Sequence, residues 1–366
     1  MLRFVSILNH LKKIEWGIVI PALLLAGIGL MGIYSTCLAR GVFFNFYKQI
    51  IFLLLGVFLM LLLSFLDYRI FKNNSYLILA IYIISVLLLL GLYFFAPITR
   101  GTRGWYRLGI FSFDPTELAK ISLVLLLSKY FSMRHREMYN IRHLIFSGIY
   151  VLIPFWLVFK KPDFGGALIL LLIWVIVLII SGIKTKHLIF LLIIFLVFSV
   201  LGWNFLLKDY QKERIFSFLF PAEYVGASWS QRQAEISIGS GQIFGKGLGK
   251  GTQVQYGFLP EPHTDFIFSV IAEEGGLIAV LIVFFLYGFL IWRILRVAVR
   301  SYSNFPRLFT SGYVVILILQ FSFNIGMNLS LLPVVGIYLP FISYGGSALL
   351  GNFVFLGIIQ SIKCHS

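Results

Sequence analysis

Four ionisable side chains lie inside long apolar runs, where a charge is costly and often functional. Glu117 and Lys120 lie in one such run, and Glu273 and Glu274 lie in another. Glu117 and Lys120 are three residues apart, so a helix would place them on one face. The spacing leaves two interpretations, a functional pair that points into a cavity or a structural ion pair that fastens helices together.

Asp114 precedes this first pair in the sequence Asp-Pro-Thr-Glu. Asp at a cap position followed by Pro in the first turn is typical of a helix start. Glu117 would then lie in the first turn, where the helix dipole favours a negative charge.

Asp265 lies where a long polar segment returns to an apolar run, within the stretch 259–268. A carboxylate that is half desolvated there holds its proton more tightly, as a general base working near neutral pH requires. The alternative is an Asp that caps a helix and does no chemistry. His263 is close by, but no second His or carboxylate follows at a metal-site spacing, so we predict no metal site here.

A glycine-rich run covers residues 239–251 and contains Lys246 and Lys250. Backbone amides and ammonium groups in such a run can contact a phosphate. No strand precedes it, as a nucleotide-binding motif would require. The run favours a flexible loop that touches an anionic headgroup, with ordinary turn chemistry as the alternative.

The segment 332–347 has no charged residue, two prolines and three glycines, and it lies between two apolar runs. Irregular backbone at membrane depth is tolerated where it is buried in protein or lines a wet cavity. This pattern indicates a re-entrant loop at a cleft, and a tight structural turn is the alternative.

The composition defines the elements that must position these residues. The chain has 366 residues, of which 60% are hydrophobic and 12% charged, with a mean hydropathy of +0.95. Soluble domains carry roughly 25% charged residues, so a soluble enzyme is excluded, and so is a disordered chain. The sequence predicts an all-α polytopic membrane protein in which residues 1–366 form a single transmembrane domain.

Ten apolar runs are candidate transmembrane helices. The fourth is the weakest because it is short and contains Glu117 and Lys120. A large loop of about 208–264 separates helices seven and eight, and its aromatic residues predict an ordered loop at the membrane interface. The candidate spans are 16–37, 49–66, 75–96, 115–132, 144–159, 165–182, 188–207, 265–292, 307–331 and 344–362.

The formal net charge of +16 would suggest nucleic acid in a soluble protein, but here it reflects topology. With the N-terminus inside, the inner segments hold 16 Lys and Arg residues and the short outer loops hold seven. The sequence therefore predicts cytoplasmic N- and C-termini and an outward-facing large loop. Two cysteines, at opposite ends of the chain, indicate no disulfide framework.

Taken together, these motifs resemble the SEDS family (shape, elongation, division and sporulation) over essentially the whole chain. Short termini resemble the elongation branch more than the division branch. The matching segments, in order, are Gly101, Trp105 and Leu108-Gly109, then 115–120, 161–165, 210–215, 239–247, 263–268 with Glu273-Glu274, 324–327 and 339–347.

The resemblance implies a peptidoglycan glycosyltransferase that polymerises lipid II at the outer face of the cytoplasmic membrane, beside a class B penicillin-binding protein. It implies that Asp265 is the essential carboxylate and general base. It also implies that Glu117 and Lys120 are the paired charges of a central cavity. In this reaction the growing glycan leaves an undecaprenyl diphosphate. The candidates to bind that diphosphate are Lys120, Arg103, Arg107, Arg214, Lys246 and Lys250, and Ser343 is a further substrate-binding candidate.

Two positions depart from the family pattern. Gly104 occupies the place of an Arg that usually precedes the Trp, and Asp114 replaces a usual Gln. A divalent cation such as Mg²⁺ or Mn²⁺ would suit the diphosphate, but the sequence shows no ligand cluster for it. The competing functions are a lipid II flippase, with Glu117, Lys120 and Glu273 along its path, and a scaffold that recruits its partner.

Overall fold

The protein is described from a computed structural model in which residues 10–97, 104–109, 111–134, 141–205, 209–221 and 223–365 are placed. It is built from helices, with one short β-hairpin among the described residues. The helices are α1 (Trp16–Arg40), α2 (Phe44–Phe65), α3 (Arg69–Asn73), α4 (Ser75–Phe95), α5 (Pro115–Met133), α6 (Ile141–Lys160), α7 (Phe164–Ile180), α8 (Thr185–Phe205), α9 (Asp209–Leu219), α10 (Val225–Ser240), α11 (Thr252–Gln255), α12 (Ile267–Arg300), α13 (Asn304–Asn328) and α14 (Gly346–Cys364).

A helix lies at each of the ten predicted spans, and the all-α polytopic class is confirmed. Seven helices in the described part of the chain are long and apolar enough to cross a membrane, namely α1, α2, α4, α6, α12, α13 and α14. Helix α5 carries Glu117 and Lys120, and α7 has 17 residues. The count of ten crossings therefore stays a prediction.

Helices α2 and α14 pack closely along their length because small residues let the two backbones approach. A Cβ at Gly357 would lie only 2.8 Å from Cβ of Leu63 and 3.0 Å from the backbone of Met60. Apolar side chains pack behind this contact, with Phe353 and Phe309 completely buried. These packed helices support the segments that connect them.

The β-hairpin pairs β1 (Tyr106–Leu108) with β2 (Phe111–Phe113) in antiparallel register, Tyr106 opposite Phe113. The Tyr106 hydroxyl donates to the Leu88 carbonyl of α4 at 2.7 Å. The Phe111 ring contacts Phe52 of α2, with 5.5 Å between ring centroids. These contacts fix the start of α5, which follows β2 directly.

The described part of the large loop is ordered, as predicted, and contains α9, α10 and α11. Its glycine-rich run packs against a break in α12 at Gly276, whose φ of 65° and ψ of −166° suit only glycine. Lys246 N donates to the Glu273 carbonyl at 3.0 Å, and Leu277 N donates to the Gln242 carbonyl at 2.8 Å. Ordered turns, rather than a flexible loop, therefore describe this run.

Candidate active site

Asp265 lies two residues before α12, with its side chain partly buried. Its backbone carbonyl accepts hydrogen bonds from the side-chain amides of Asn324 at 3.1 Å and Asn328 at 3.0 Å. Both asparagines are fully buried on α13. Because two donors fix its peptide, the Asp265 side chain leaves the backbone from a constrained position.

The same two asparagines tie Asp265 to neighbouring segments. Asn324 also donates to the Ile337 carbonyl at 2.8 Å. The Asn328 side-chain oxygen accepts from the Ser269 hydroxyl at 2.6 Å, in the first turn of α12. Together with the two hydrogen bonds to the Asp265 carbonyl, these contacts join α12, α13 and the segment that follows α13. Sequence reasoning noted residues 324–327 as a family segment but gave them no role.

The segment 332–345 lies directly against the loop that carries Asp265. The Ser343 hydroxyl donates to the Thr264 carbonyl at 2.7 Å and accepts from Leu339 N at 2.9 Å, while Tyr344 N donates to the His263 carbonyl at 2.8 Å. Gly336 is near the carboxylate, since a Cβ there would lie 3.8 Å from Asp265 Oδ2. Ser343 thus fastens two loops together, and its predicted contact with substrate stays a prediction.

A second group of charges surrounds the start of α5. Asp114 caps this helix by accepting from Thr116 N at 2.9 Å, as the sequence predicts. The ammonium group of Lys161 lies 3.0 Å from Asp114 Oδ1, 2.6 Å from the Thr116 hydroxyl and 3.4 Å from Asp163. Lys161 and Asp114 are both buried. The residue that departs from the family pattern is therefore neutralised by a lysine 47 positions away.

The pKa values of this pair follow from two opposing effects. Burial alone would raise the pKa of Asp114, but Lys161 and the Thr116 hydrogen bonds outweigh it and hold the pKa below its ordinary 3.8. Burial alone would lower the pKa of Lys161, but Asp114 and Asp163 outweigh it and raise the pKa above 10.5. Both groups are therefore charged at neutral pH.

Glu117 and Lys120 form the pair that their spacing predicts, with 2.7 Å between Lys120 Nζ and Glu117 Oε1. Both side chains are buried. Gly351 of α14 leaves room beside the carboxylate, since a Cβ there would lie 3.5 Å from Glu117 Oε2. The pair is confirmed, and its contact with substrate stays a prediction.

Tyr338 lies in the segment 332–345, and the electrostatics of its hydroxyl depend on both groups of charges. Burial raises the pKa of its hydroxyl well above 10, and the negative charges of Asp114, Asp163, Asp265 and Glu117 raise it further. One phenol is thus within electrostatic reach of the Asp265 carboxylate and of the α5 cluster. Sequence reasoning missed Tyr338, and the signal that could have found it is its place in the uncharged segment 332–347.

The predicted outer cations lie in different places. Arg214, exposed on α9, donates to the Val334 carbonyl at 3.3 Å and so borders the segment beside Asp265. Arg107 is exposed on β1, in the hairpin that leads to Asp114. Lys250 is exposed in the glycine-rich run. Arg103 falls outside the described residues.

Lys246 belongs to a separate cluster beside the break in α12. Its ammonium group lies 2.7 Å from Glu273 Oε1 and 2.7 Å from the Thr252 hydroxyl. Glu274 accepts from the Ser35 hydroxyl of α1 and from Gly251 N at 3.4 Å. Glu273 and Glu274 thus anchor the glycine-rich run to α12 and α1. This geometry assigns Lys246 an anchoring contact, and its contact with diphosphate stays a prediction.

The described acidic residues do not form a metal-binding set. No group of three or more His, Cys, Asp and Glu side chains in the placed part of the chain is arranged to hold a metal ion. Asp114 and Asp163 come together, but Lys161 occupies the space between them. The described residues therefore do not fit a resident divalent cation.

The fold and the site define an integral membrane protein that carries a constrained carboxylate, Asp265, and buried ion pairs at the start of α5. A family model for FtsW, RodA and SpoVE, described as cell cycle protein, matches residues 16–366. The chain belongs to this family, as the resemblance to SEDS proteins predicts.

Individual relatives agree. The chain is 38% identical to peptidoglycan glycosyltransferase MrdB of Escherichia coli K12 over 78% of this chain and 77% of that protein. It is 33% identical to the probable peptidoglycan glycosyltransferase FtsW of Bacillus subtilis over 96% of this chain and 91% of the relative.

Solved structures agree as well. The fold matches a chain of a peptidoglycan synthase complex with a TM-score of 0.80 and 30% identity, covering 96% of this chain and 97% of that chain. It also matches the rod shape determining protein RodA of Thermus thermophilus, with a TM-score of 0.68, 29% identity and 96% of each chain covered.

Proposed function

We propose that this protein is a peptidoglycan glycosyltransferase that polymerises lipid II into glycan strands for cell elongation and shape. The observation that carries the proposal is the position of Asp265, a partly buried carboxylate whose peptide is held by Asn324 and Asn328 beside buried charged clusters. The family and its named relatives support the same activity.

The reaction needs one base and an anionic leaving group. Asp265 takes the proton from the 4-hydroxyl of the GlcNAc on lipid II as this oxygen attacks the anomeric carbon of the growing glycan. The new glycosidic bond forms as the bond from that carbon to the undecaprenyl diphosphate breaks, and the electron pair leaves with the diphosphate. One displacement inverts the anomeric centre, so no second carboxylate is needed as a nucleophile.

Positively charged side chains of the candidate site stabilise the departing diphosphate. Lys120 is the buried candidate, and Arg214 and Arg107 are the exposed candidates. Glu117 sets the position of the Lys120 ammonium group through their 2.7 Å ion pair. Lys161 is held by three partners and serves to place the start of α5 rather than to meet substrate.

The protein is an integral protein of the bacterial inner membrane. We propose that both termini lie in the cytoplasm and that the large loop, with Asp265, lies at the outer face, and the distribution of Lys and Arg supports this orientation. A class B penicillin-binding protein is the proposed partner. Support comes from the structural neighbour, which belongs to a synthase complex described as coordinating polymerization and crosslinking.

The test is polymerisation in proteoliposomes that contain the full-length protein and lipid II, with and without the class B partner. The wild type is expected to form long glycan strands, and Asp265→Asn is expected to abolish them. Asp67→Asn is the matched control, because Asp67 also lies before a helix and accepts from a main-chain amide, that of Arg69, at 2.9 Å. It should retain activity.

Each outcome decides between explicit alternatives. Strand formation by Asp265→Asn at the wild-type rate would remove Asp265 as the base and leave the helix-cap interpretation. If the wild type makes no strands with its partner but moves labelled lipid II across the bilayer, the flippase interpretation replaces polymerisation. The relatives named as glycosyltransferases favour the polymerase.

A further inference from the structure

A basic hollow lies where α1 begins and where α12 and α14 end, far along α12 from Asp265. Its cavity volume is about 50 Å³. The described residues around it include four cations and one carboxylate. They are Arg293, Arg296, Arg300, Lys363 and Glu15.

Glu15 forms an ion pair with one of these cations. Its carboxylate pairs with Arg293, and its backbone is held by Gln360, which accepts from Glu15 N at 2.9 Å and donates to the Glu15 carbonyl at 3.2 Å. Arg296 and Arg300 lie on the exposed rim of the hollow. The charge around the hollow is thus strongly positive after the internal pair is formed.

Exposed aromatic residues place this hollow at headgroup depth. Trp292 is 45% exposed, and the guanidinium carbon of Arg296 lies 4.1 Å from its ring centroid. Trp16 at the start of α1 and Tyr302 after α12 are also exposed. Trp and Tyr concentrate at membrane–water interfaces, where their rings sit among headgroups.

Topology and helix dipoles do not account for this arrangement. A positive-inside signal needs a count of Lys and Arg, but it does not require them to converge on one hollow. The dipole acts on the last turn, whereas Arg293 lies two turns before the end of α12 at Arg300. The spacing 293, 296 and 300 instead places three guanidinium groups on one helix face, and guanidinium groups bind phosphate oxygens in pairs.

We propose that this hollow is a binding site for a phosphate group at headgroup depth, held by Arg296, Arg300 and Lys363 and framed by the Glu15–Arg293 pair. The chemistry is shared by the phosphodiester of an anionic lipid and by free phosphate, and the experiment separates the two. The site is independent of polymerisation at the opposite end of α12.

The test uses full-length protein in nanodiscs of phosphatidylcholine with a minor share of phosphatidylglycerol. Lipids that stay bound after transfer to detergent are counted by native mass spectrometry. The wild type is expected to retain phosphatidylglycerol above its share. Retention should fall about five-fold for each arginine removed in Arg296→Gln and Arg296→Gln/Arg300→Gln, since each charge near an anionic surface contributes on that order.

Arg307→Gln is the matched control, because Arg307 is exposed in the first turn of α13 and does not line the hollow. It should retain the lipid as the wild type does. A second arm measures binding of inorganic phosphate alone to the wild type and the double variant. Binding of phosphate without lipid retention, lost in the double variant, supports the site and assigns it to the free ion.

Two results would overturn the proposal. One is a double variant that retains lipid and binds phosphate as the wild type does. The other is equal loss in Arg307→Gln, which would show a general surface charge effect. Thermal unfolding of each variant checks that it is folded, and Arg300→Gln alone replaces the double variant if the latter is unstable.

Discussion

At the scale of single residues, charged side chains far apart in the sequence neutralise each other at the start of α5. Lys161 neutralises Asp114 across 47 positions, and its ammonium group is buried with three oxygen partners. Removing one member of such a buried pair leaves the other charge uncompensated, which costs far more than an exposed pair would. The start of α5, and with it Glu117, depends on this neutralisation.

The Asp114→Asn variant tests this dependence through pH. The folded-state pKa of Asp114 lies below 3.8, so its ionised form stabilises the fold above that pH and stops doing so as pH falls through the lower value. Lys161 stays charged because its pKa is raised above 10.5. At pH 7 we expect Asp114→Asn to lose about 3–5 kcal/mol, the usual cost of removing one partner of a buried ion pair.

Thermal unfolding of the detergent-solubilised protein between pH 7 and acid provides the measurement. The difference between wild type and variant should be full at pH 7 and should shrink below about pH 4. Asp209→Asn is the control, because Asp209 is exposed in the first turn of α9. A constant difference across this pH range would show that the Asp114 charge does not stabilise the start of α5.

Contacts between residues that are close in the sequence can be predicted from their spacing. The Glu117–Lys120 pair and the Asp114 cap both depend on residues within three positions, and the structure confirms both. Asn324 and Asn328 reach Asp265 across 59 and 63 positions, and Lys161 reaches Asp114 across 47. These contacts could not be predicted, because a single sequence contains no information on which helices meet.

At the scale of elements, α13 positions the segment that carries the proposed base. Asn328→Ala removes one of the two donors to the Asp265 carbonyl and leaves the Ser269 hydroxyl without its acceptor. A shift of the Asp265 backbone by a fraction of an ångström misaligns a proton transfer. We expect kcat for polymerisation to fall about ten-fold or more, with little change in KM.

Asn352→Ala is the matched control for this prediction. Asn352 is a buried asparagine of α14 that accepts from the Tyr313 hydroxyl and donates to the Ala348 carbonyl. It should lose stability without the selective fall in kcat. Equal falls in kcat for the two variants, after correction for folded protein, would remove the positioning role of Asn328.

The break in α12 depends on a single residue, Gly276. At Gly276 a side chain is opposed both by the positive φ and by space, since a Cβ would lie 2.5 Å from the Ile243 carbonyl oxygen. Gly276→Ala should therefore displace the glycine-rich run and cost about 1–3 kcal/mol for backbone strain alone. A lower thermal unfolding midpoint is the expected result.

Gly288→Ala provides the comparison on the same helix. Gly288 lies within α12, and a Cβ there meets no atom within 4 Å. Its midpoint should equal or exceed that of the wild type, because alanine is the better helix former. The prediction is wrong if Gly276→Ala is as stable as Gly288→Ala.

At the scale of the whole molecule, the charged residues discussed above lie in two groups, one near the start of α12 and one near its end. Helix α12 has 34 residues, and its part after the break at Gly276, residues 277–300, is roughly 36 Å long at about 1.5 Å per residue. The glycine-rich run and Asp265 lie near its start, whereas Arg293, Arg296 and Arg300 lie at its other end. That the net charge of +16 reflects orientation in the membrane stays a prediction.

Orientation is testable by labelling with a membrane-impermeant maleimide in spheroplasts. In a background of Cys37→Ser and Cys364→Ser, Lys250→Cys should react in intact spheroplasts, because Lys250 is exposed in the outer run. Arg307→Cys should react only after detergent is added, because Arg307 is exposed at the start of α13, beyond the basic end of α12. The reverse pattern would place Asp265 on the cytoplasmic face, where it could not act on lipid II presented outside.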